Sequence, residues 1–139
     1  APMKQFEELK ENEIQKVIDF LLETDLRVLL FSGEVGTGKT TLIRDLVRHM
    51  GSISEVSSPT FSLLNEYQTE KGIIYHSDWY RVKLVEELYD AGIMEYFNMP
   101  GLFIIEWPEV GLPYIPKPYV HVKINHGLGV RSYEISHIN

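Results

Sequence analysis

The residues best suited to chemistry lie in one glycine-rich octapeptide. It matches the phosphate-loop pattern G-x-x-x-x-G-K-[ST] at every fixed position: Gly33-Glu34-Val35-Gly36-Thr37-Gly38-Lys39-Thr40. Glycine permits backbone conformations that other residues avoid, so the loop N–H groups can turn inward around phosphate oxygens. Lys39 can bring a point charge to the β- and γ-phosphates, and Thr40 can offer a hydroxyl to a magnesium ion. The pattern predicts nucleotide binding, and a chance match in an ordinary glycine turn is the alternative.

Two acids follow predicted strands, at the edge where open α/β sheets place ligand groups. Glu106 follows the apolar run Leu102–Ile105, the position of the second acidic motif of phosphate-loop enzymes, where Asp is usual. It could hold magnesium directly, hold it through water, or orient the attacking water; a carboxylate bonded to backbone N–H groups is the alternative. Asp78 could hold a metal-bound water or pair with Arg81, and an N-cap of the following segment is an equal alternative.

Further polar and aromatic residues lie near these acids in the sequence. Thr60 is in a Ser/Pro loop, where GTPase-like proteins keep a switch that senses the γ-phosphate. His76 could orient an acid, although a strand-end histidine is more often packed and hydrogen-bonded. For Trp79, Tyr80 and Trp107 we expect packing as the main role, with shielding of a nucleotide site as the alternative.

The spacing of apolar residues predicts the elements that must position these groups. The predicted helices are Leu9–Glu23, a helix from Lys39 that stops near Gly51, and a short helix from Leu84 to Ala91. The predicted strands are Arg27–Ser32, a hairpin of Phe61–Tyr67 with Gly72–His76, the buried strand Leu102–Ile105, and the pair Tyr119–Ile124 and Val130–Ile138. Ser77–Arg81 is predicted as a loop. The fold class is α/β, a P-loop NTPase-like mixed sheet with a parallel core, antiparallel strands and flanking helices, in one domain over residues 1–139.

Composition narrows the classes of protein. The chain has 139 residues, of which 44% are hydrophobic, no cysteine, and a net charge of −7. The charge argues against a broad basic surface for nucleic acid, but it is compatible with a protein partner that carries nucleic acid. No apolar run approaches the roughly 20 residues that span a bilayer, and no secretory signal is evident. We therefore expect a cytoplasmic protein without a membrane partner.

An ordered set of short motifs is more specific than any one of them. The set is GEVGTGKTT at Gly33–Thr41, SPTF at Ser58–Phe61, HSDWYR at His76–Arg81, and IEWP at Ile105–Pro108, with Glu66-Tyr67 between the second and third. This order resembles the TsaE/YjeE family, the small ATPase subunit of bacterial tRNA threonylcarbamoyladenosine synthesis. The resemblance runs from the first predicted helix to the last strands, although Trp79 stands where a smaller apolar residue is common.

The resemblance implies a site for ATP and Mg²⁺. Its metal ligands would be Thr40, Glu106 and Asp78; its catalytic residues would be Lys39, Glu106, Asp78 and Thr60; its nucleotide contacts would be Gly33, Glu34, Val35, Gly36, Thr37, Gly38, Lys39, Thr40, Thr41, Val130 and Arg131. The last two follow from contacts that the family makes near its final hairpin. No strong motif marks them here.

The resemblance also implies a partner-dependent function. The chain would be an ATPase with low activity alone, acting on two sugar-kinase-like proteins, similar to TsaB and TsaD, that transfer threonylcarbamoyl to adenosine 37 of tRNAs reading ANN codons. Hydrolysis would reset or regulate that complex, and tRNA would be bound mainly by the partners. We expect the partner surface around Trp79 and the helix Leu84–Ala91.

Three other functions remain as alternatives. A small-molecule kinase usually clamps phosphates with several arginines, and this chain contains only Arg27, Arg44, Arg48, Arg81 and Arg131. A GTPase would carry an Asn-Lys-x-Asp motif, which is absent. A nucleotide-binding scaffold without turnover is disfavoured by Asp78 and Glu106.

Overall fold

The computed structural model describes residues 3–34, 38–52 and 63–139, which form a seven-stranded mixed sheet with helices on both faces. The strands are β1 (Met3–Leu9), β2 (Val28–Ser32), β3 (Leu64–Thr69), β4 (Gly72–Asp78), β5 (Leu102–Glu106), β6 (Tyr119–His126) and β7 (Arg131–Ile138). The α-helices are α1 (Gln15–Glu23), α2 (Lys39–His49) and α3 (Val85–Asp90), and 3₁₀ helices span Glu11–Glu13, Ile93–Asn98 and Pro108–Tyr114.

The strand order is β1-β7-β6-β2-β5-β4-β3. The central strands β6, β2, β5 and β4 are parallel, whereas β3, β7 and β1 pair with their neighbours in the antiparallel sense. The apolar runs of β2 and β5 reflect their central place, because a strand covered on both faces is hydrophobic along most of its length. The predicted α/β fold with a parallel core and antiparallel additions is confirmed.

Alternation along the strands divides the core into two layers. One layer, which we call the α1/α2 face, packs α1 and α2 against side chains such as Leu29, Phe31 and Ile104. The other, which we call the α3 face, packs α3 and the later 3₁₀ helices against Leu30 and Phe103. Successive residues of one strand therefore lie on different faces of the sheet, and the face of each motif residue determines which other residues it can contact.

The N-terminal segment differs from its prediction. The helix begins at Gln15 rather than near Leu9, and the preceding residues form edge strand β1 on β7. The spacing of Phe6 and Leu9 resembled a helix because a register irregularity lies between them, with Glu8 at φ +51°. Residues three apart in a regular strand face opposite sides, and the extra residue brings both toward the α1/α2 face.

Two other segments are more regular than predicted. Ser77 and Asp78, predicted in a loop, continue β4, because its parallel pairing with β5 extends to Asp78 opposite Glu106. The connection between Trp107 and Tyr119, for which no helix was predicted, contains the 3₁₀ helix Pro108–Tyr114. The predicted start of the hairpin at Phe61 lies outside the described residues, and its strands β3 and β4 are confirmed.

None of the helices in the described part of the chain combines the length and the apolar character needed to cross a membrane.

Candidate functional site

The site forms where β2 ends and α2 begins. Gly38 immediately precedes α2 with φ +93°, a left-handed conformation that favours glycine. The first turn of α2 contains Lys39 and Thr40, so the free N–H groups and the positive end of the helix dipole are next to both side chains. This arrangement suits an anion such as phosphate. Val35, Gly36 and Thr37, also predicted to contact the nucleotide, lie outside the described residues.

The buried side chain of Lys39 contacts the backbone of the first two loop residues. Its side chain is 6% exposed, and Nζ donates hydrogen bonds to the carbonyl oxygens of Gly33 and of Glu34, the second at 3.0 Å. Nζ also lies 4.3 Å from the centre of the Trp107 ring, a cation–π contact. Burial lowers the pKa of Lys39, and the carboxylates of Glu106 and Asp78 oppose that shift. The backbone carbonyl of Glu34 accepts the second of these hydrogen bonds, and Glu34 itself is exposed.

Glu106 ends β5 as a buried carboxylate with side-chain partners on both oxygens. Oε1 accepts the hydroxyl of Thr40 at 3.3 Å, and Oε2 lies 2.7 Å from Nε2 of His76. The residue is 2% exposed. The alternative in which backbone N–H groups satisfy Glu106 does not describe these contacts. His76 is both packed and bonded to the acid, so the two interpretations of this residue are compatible.

Asp78 lies opposite Glu106 in the pairing of β4 with β5. Its Oδ1 accepts the backbone N–H of Tyr80 at 3.0 Å, a local turn contact that resembles the capping alternative. Burial raises the pKa of Asp78; the Tyr80 N–H acts against this, and Glu106 adds to it. Within the ranges that the structure describes, Asp78 forms no ion pair with Arg81.

These side chains line one cleft of about 430 Å³. Its lining consists of Gly38, Lys39, Thr40, Thr41, Asp78, Tyr80, Glu106, Trp107 and Arg131. Residues predicted from four separate stretches of sequence therefore meet at one place. Val130 lies apart, in a smaller cavity of about 130 Å³ that shares Arg131 with the cleft. Thr60, the predicted switch residue, lies outside the described residues.

Arg131 is a second basic residue that lines the cleft, next to Gly38. Its guanidinium packs against the backbone of Gly38, so a Cβ atom at that position would lie 2.9 Å from Cζ. Among the described residues, no atom accepts a hydrogen bond from the buried Nε of Arg131. A guanidinium with an unsatisfied donor beside a helix N-terminus is suited to an anionic ligand. The residues gave no motif for this position, which was predicted only through the resemblance.

Several residues around the cleft were not assigned a chemical role from the sequence. Tyr80 and Trp107 stack with their ring centres 4.8 Å apart, and Trp107 reaches this place with φ +55°. Tyr67 contacts His76 from the neighbouring strand. The predicted partner surface needs a correction: Trp79 is 1% exposed and belongs to the core of the α3 face, whereas Tyr80 and Leu84 are 54% and 62% exposed. A single sequence contains no signal that separates a buried tryptophan from an exposed one in such a motif.

The donor set fits magnesium. Thr40, Glu106 and Asp78 offer oxygen atoms only, the ligands that Mg²⁺ prefers. No group of three or more His, Cys, Asp or Glu that could hold a metal occurs among residues 3–34, 38–52 and 63–139. Magnesium at nucleotide sites is usually bound by one or two carboxylates together with phosphates and water, so a small set of protein oxygens is what such a site requires.

Comparison with known proteins gives matches over most of the chain. A family model described as "Threonylcarbamoyl adenosine biosynthesis protein TsaE" matches residues 7–132. The tRNA threonylcarbamoyladenosine biosynthesis protein TsaE of Haemophilus influenzae is 36% identical over 115 residues, which covers 82% of this chain and 73% of that protein. The protein of the same name from Nostoc is 38% identical over 119 residues, covering 81% and 71%.

The fold also has a solved counterpart. Bacillus subtilis YdiB superposes with a TM-score of 0.74 over 99% of this chain and 87% of that one, at 21% sequence identity. At this identity the likeness supports the fold, while the family model and the relatives at 36% and 38% identity establish the family. The chain belongs to the TsaE family of threonylcarbamoyl adenosine biosynthesis proteins.

Proposed function

We propose that this protein is a Mg²⁺-dependent ATPase that supports threonylcarbamoyl transfer to adenosine 37 of tRNAs reading ANN codons. It acts in the cytoplasm on a transferase complex of sugar-kinase-like proteins similar to TsaB and TsaD, and tRNA binds mainly to those partners. The observation that carries the proposal is the meeting of Lys39, Thr40 and Glu106 in one cleft at the start of α2. Membership of the TsaE family supports the connection to tRNA modification.

The chain's own groups suit phosphate binding. Lys39 donates to two neutral carbonyl groups, and anionic phosphate oxygens would be stronger acceptors for the same ammonium group. Arg131 adds a second cation, whose guanidinium lies against Gly38. The N-terminus of α2 contributes N–H donors at the same cleft.

Thr40 and Glu106 are the residues that would hold Mg²⁺, with Asp78 close enough in the strand register to support its water shell. When bound, the ion would neutralise charge that develops on the phosphate oxygens. Glu106 keeps its carboxylate buried beside this place, where it can orient a water molecule for attack. The Trp107 ring lies against Lys39, and Tyr80 packs on that ring, so the two aromatic side chains limit access of bulk water.

The test measures phosphate release from ATP by the purified protein, alone and with the transferase complex. We expect slow release alone and faster release with the complex. Glu106→Gln should lower kcat by about 10²–10³-fold while the Kd for ATP changes less than about tenfold. Glu109→Gln, which makes the same change on an exposed side chain, is the matched control and should retain wild-type turnover.

Two outcomes would contradict the proposal. Equal turnover of Glu106→Gln and wild type would remove Glu106 from the mechanism. Transfer of labelled γ-phosphate to a metabolite, in place of release as inorganic phosphate, would support the kinase alternative.

A further inference from the structure

A row of hydrogen-bonded side chains crosses the sheet behind the cleft. Asn65 Nδ2 donates to the hydroxyl of Tyr67 at 3.2 Å, and that hydroxyl lies 3.3 Å from Nδ1 of His76. Nε2 of His76 is 2.7 Å from Oε2 of Glu106, whose Oε1 accepts the Thr40 hydroxyl. The row thus runs from edge strand β3 through β4 and β5 to the first turn of α2.

Both ring nitrogens of His76 have partners in the row. Nε2 is placed to donate to Glu106, and Nδ1 lies against the Tyr67 hydroxyl. Tyr67 in turn accepts from Asn65 through the same oxygen. A ring protonated only on Nδ1 would place an unprotonated Nε2 against a carboxylate oxygen, so the row requires a proton on Nε2.

The three central members of the row are almost completely removed from water. Tyr67, His76 and Glu106 are 3%, 0% and 2% exposed, respectively. In such surroundings an unpaired polar group costs about 1–3 kcal/mol, so each member holds its neighbour to one orientation. For Glu106 that orientation directs Oε1 toward Thr40 and keeps Oε2 on His76. A carboxylate fixed on one oxygen presents the other with little freedom to rotate.

We propose that His76 and Tyr67 are positioning residues that hold Glu106 in the orientation needed for ATP hydrolysis. This inference rests on the proposed function, and it adds His76 and Tyr67 as residues that act on the reaction through Glu106. The row also connects the site to β3. In the sequence this strand follows residues 53–62, the segment that contains Thr60. A change in how β3 is held would reach Glu106 through two side chains.

The variants test orientation separately from packing. Tyr67→Phe removes one hydroxyl from the row, and Tyr75→Phe is the matched control, since Tyr75 is a buried tyrosine on the neighbouring strand that faces the α3 face. We expect Tyr67→Phe to lower kcat about fivefold to tenfold with the KM for ATP within twofold of wild type. Tyr75→Phe should keep both constants within twofold.

Replacement of His76 gives a rescue experiment. His76→Phe keeps an aromatic ring and removes both nitrogens, so kcat should fall by about 50-fold or more. His76→Gln places an amide N–H near the position of Nε2, and it should recover at least tenfold of that loss. A purely structural role would predict the reverse order, because Phe replaces the buried ring better than Gln does.

A measurement independent of activity separates this inference from the proposed function. Nitrogen-15 NMR of labelled histidine should show His76 protonated on Nε2, and Tyr67→Phe should shift its Nδ1 resonance while Tyr75→Phe does not. A ring without a proton on Nε2, or wild-type kcat in both Tyr67→Phe and His76→Phe, would overturn the inference. Absence of ATP hydrolysis in the wild type would instead contradict the proposed function and leave the NMR test in place.

Discussion

The two faces of the sheet each bury a histidine close to the phosphate-loop strand, and only one of these histidines contacts an acid of the site. On the α1/α2 face, His76 bonds Glu106, which lines the cleft. On the α3 face, Nε2 of His121 lies 2.7 Å from the hydroxyl of Ser32 at the end of β2. Burial therefore does not distinguish the two histidines. They differ in the side chain that each one contacts, Glu106 for His76 and Ser32 for His121, and the face of the sheet determines that contact.

The same division splits the HSDWYR motif. Alternation along β4 directs His76 and Asp78 toward the α1/α2 face and the cleft, whereas Ser77 points to the opposite side. There the Ser77 hydroxyl accepts the indole N–H of Trp79 at 2.8 Å. Adjacent residues of one motif thus lie in different surroundings, the cleft on one face and the packed core on the other.

The largest expected effect tests the packing half of the motif. Trp79→Ala should lower the free energy of unfolding by about 3–5 kcal/mol, because it empties a fully buried site against Leu88 and Gly111 on the α3 face. Trp79→Phe should cost less, since most of the ring volume remains. Urea denaturation provides the measurement. A Trp79→Ala variant as stable as wild type would show that the α3 face does not depend on this residue.

A smaller effect concerns pH and His121. Burial lowers the pKa of His121, and Lys123 acts in the same direction. Since the unfolded chain binds the proton more tightly, stability should decrease as the pH falls through the ordinary value of 6.5 toward the lower folded pKa. The slope from one group is at most about 1.4 kcal/mol per pH unit.

Thermal melts between about pH 8 and pH 5.5 check this effect. His121→Gln keeps a polar group for Ser32 without a titrating ring, so its stability should depend less steeply on pH, and its kcat should stay near that of wild type. Identical pH slopes for the two proteins would assign the dependence to other groups. A large fall in kcat would instead show that the contrast between the two histidines is wrong.

The smallest expected effect on stability is at Asp78. Burial raises the pKa of Asp78 above its ordinary value of 3.8. The free energy of unfolding therefore decreases as the pH rises through that value, because the carboxyl ionises more readily in the unfolded chain. Asp78→Asn keeps the acceptor for the Tyr80 N–H and removes the charge. After allowance for solvent screening, we expect a gain of only about 0.5 kcal/mol at neutral pH together with a loss of ATP hydrolysis. Chemical denaturation and phosphate release measure the two parts, and a loss of stability would contradict the assigned cause.

Much of the fold could be predicted because its signals are local. The apolar runs of β2 and β5, the glycine before Lys39, and the turn between β3 and β4 each depend on a few adjacent residues. Strand β1 could not be predicted in this way, since its pairing partner β7 lies more than a hundred residues later and its irregularity imitates helical spacing. The extension of β4 to Asp78 depended likewise on its pairing with β5.

In the site, the phosphate loop and the acids Asp78 and Glu106 could be predicted from the amino-acid sequence, because the residue types and their places after strands are local properties. The groups that those acids contact depend on the three-dimensional fold. His76 and Tyr67 reach Glu106 across the α1/α2 face, Arg131 reaches the cleft from the last strand, and Trp79 is turned into the opposite core. The physical reason is that strand order and side-chain alternation bring together residues far apart in the chain, and neither can be inferred from any one segment.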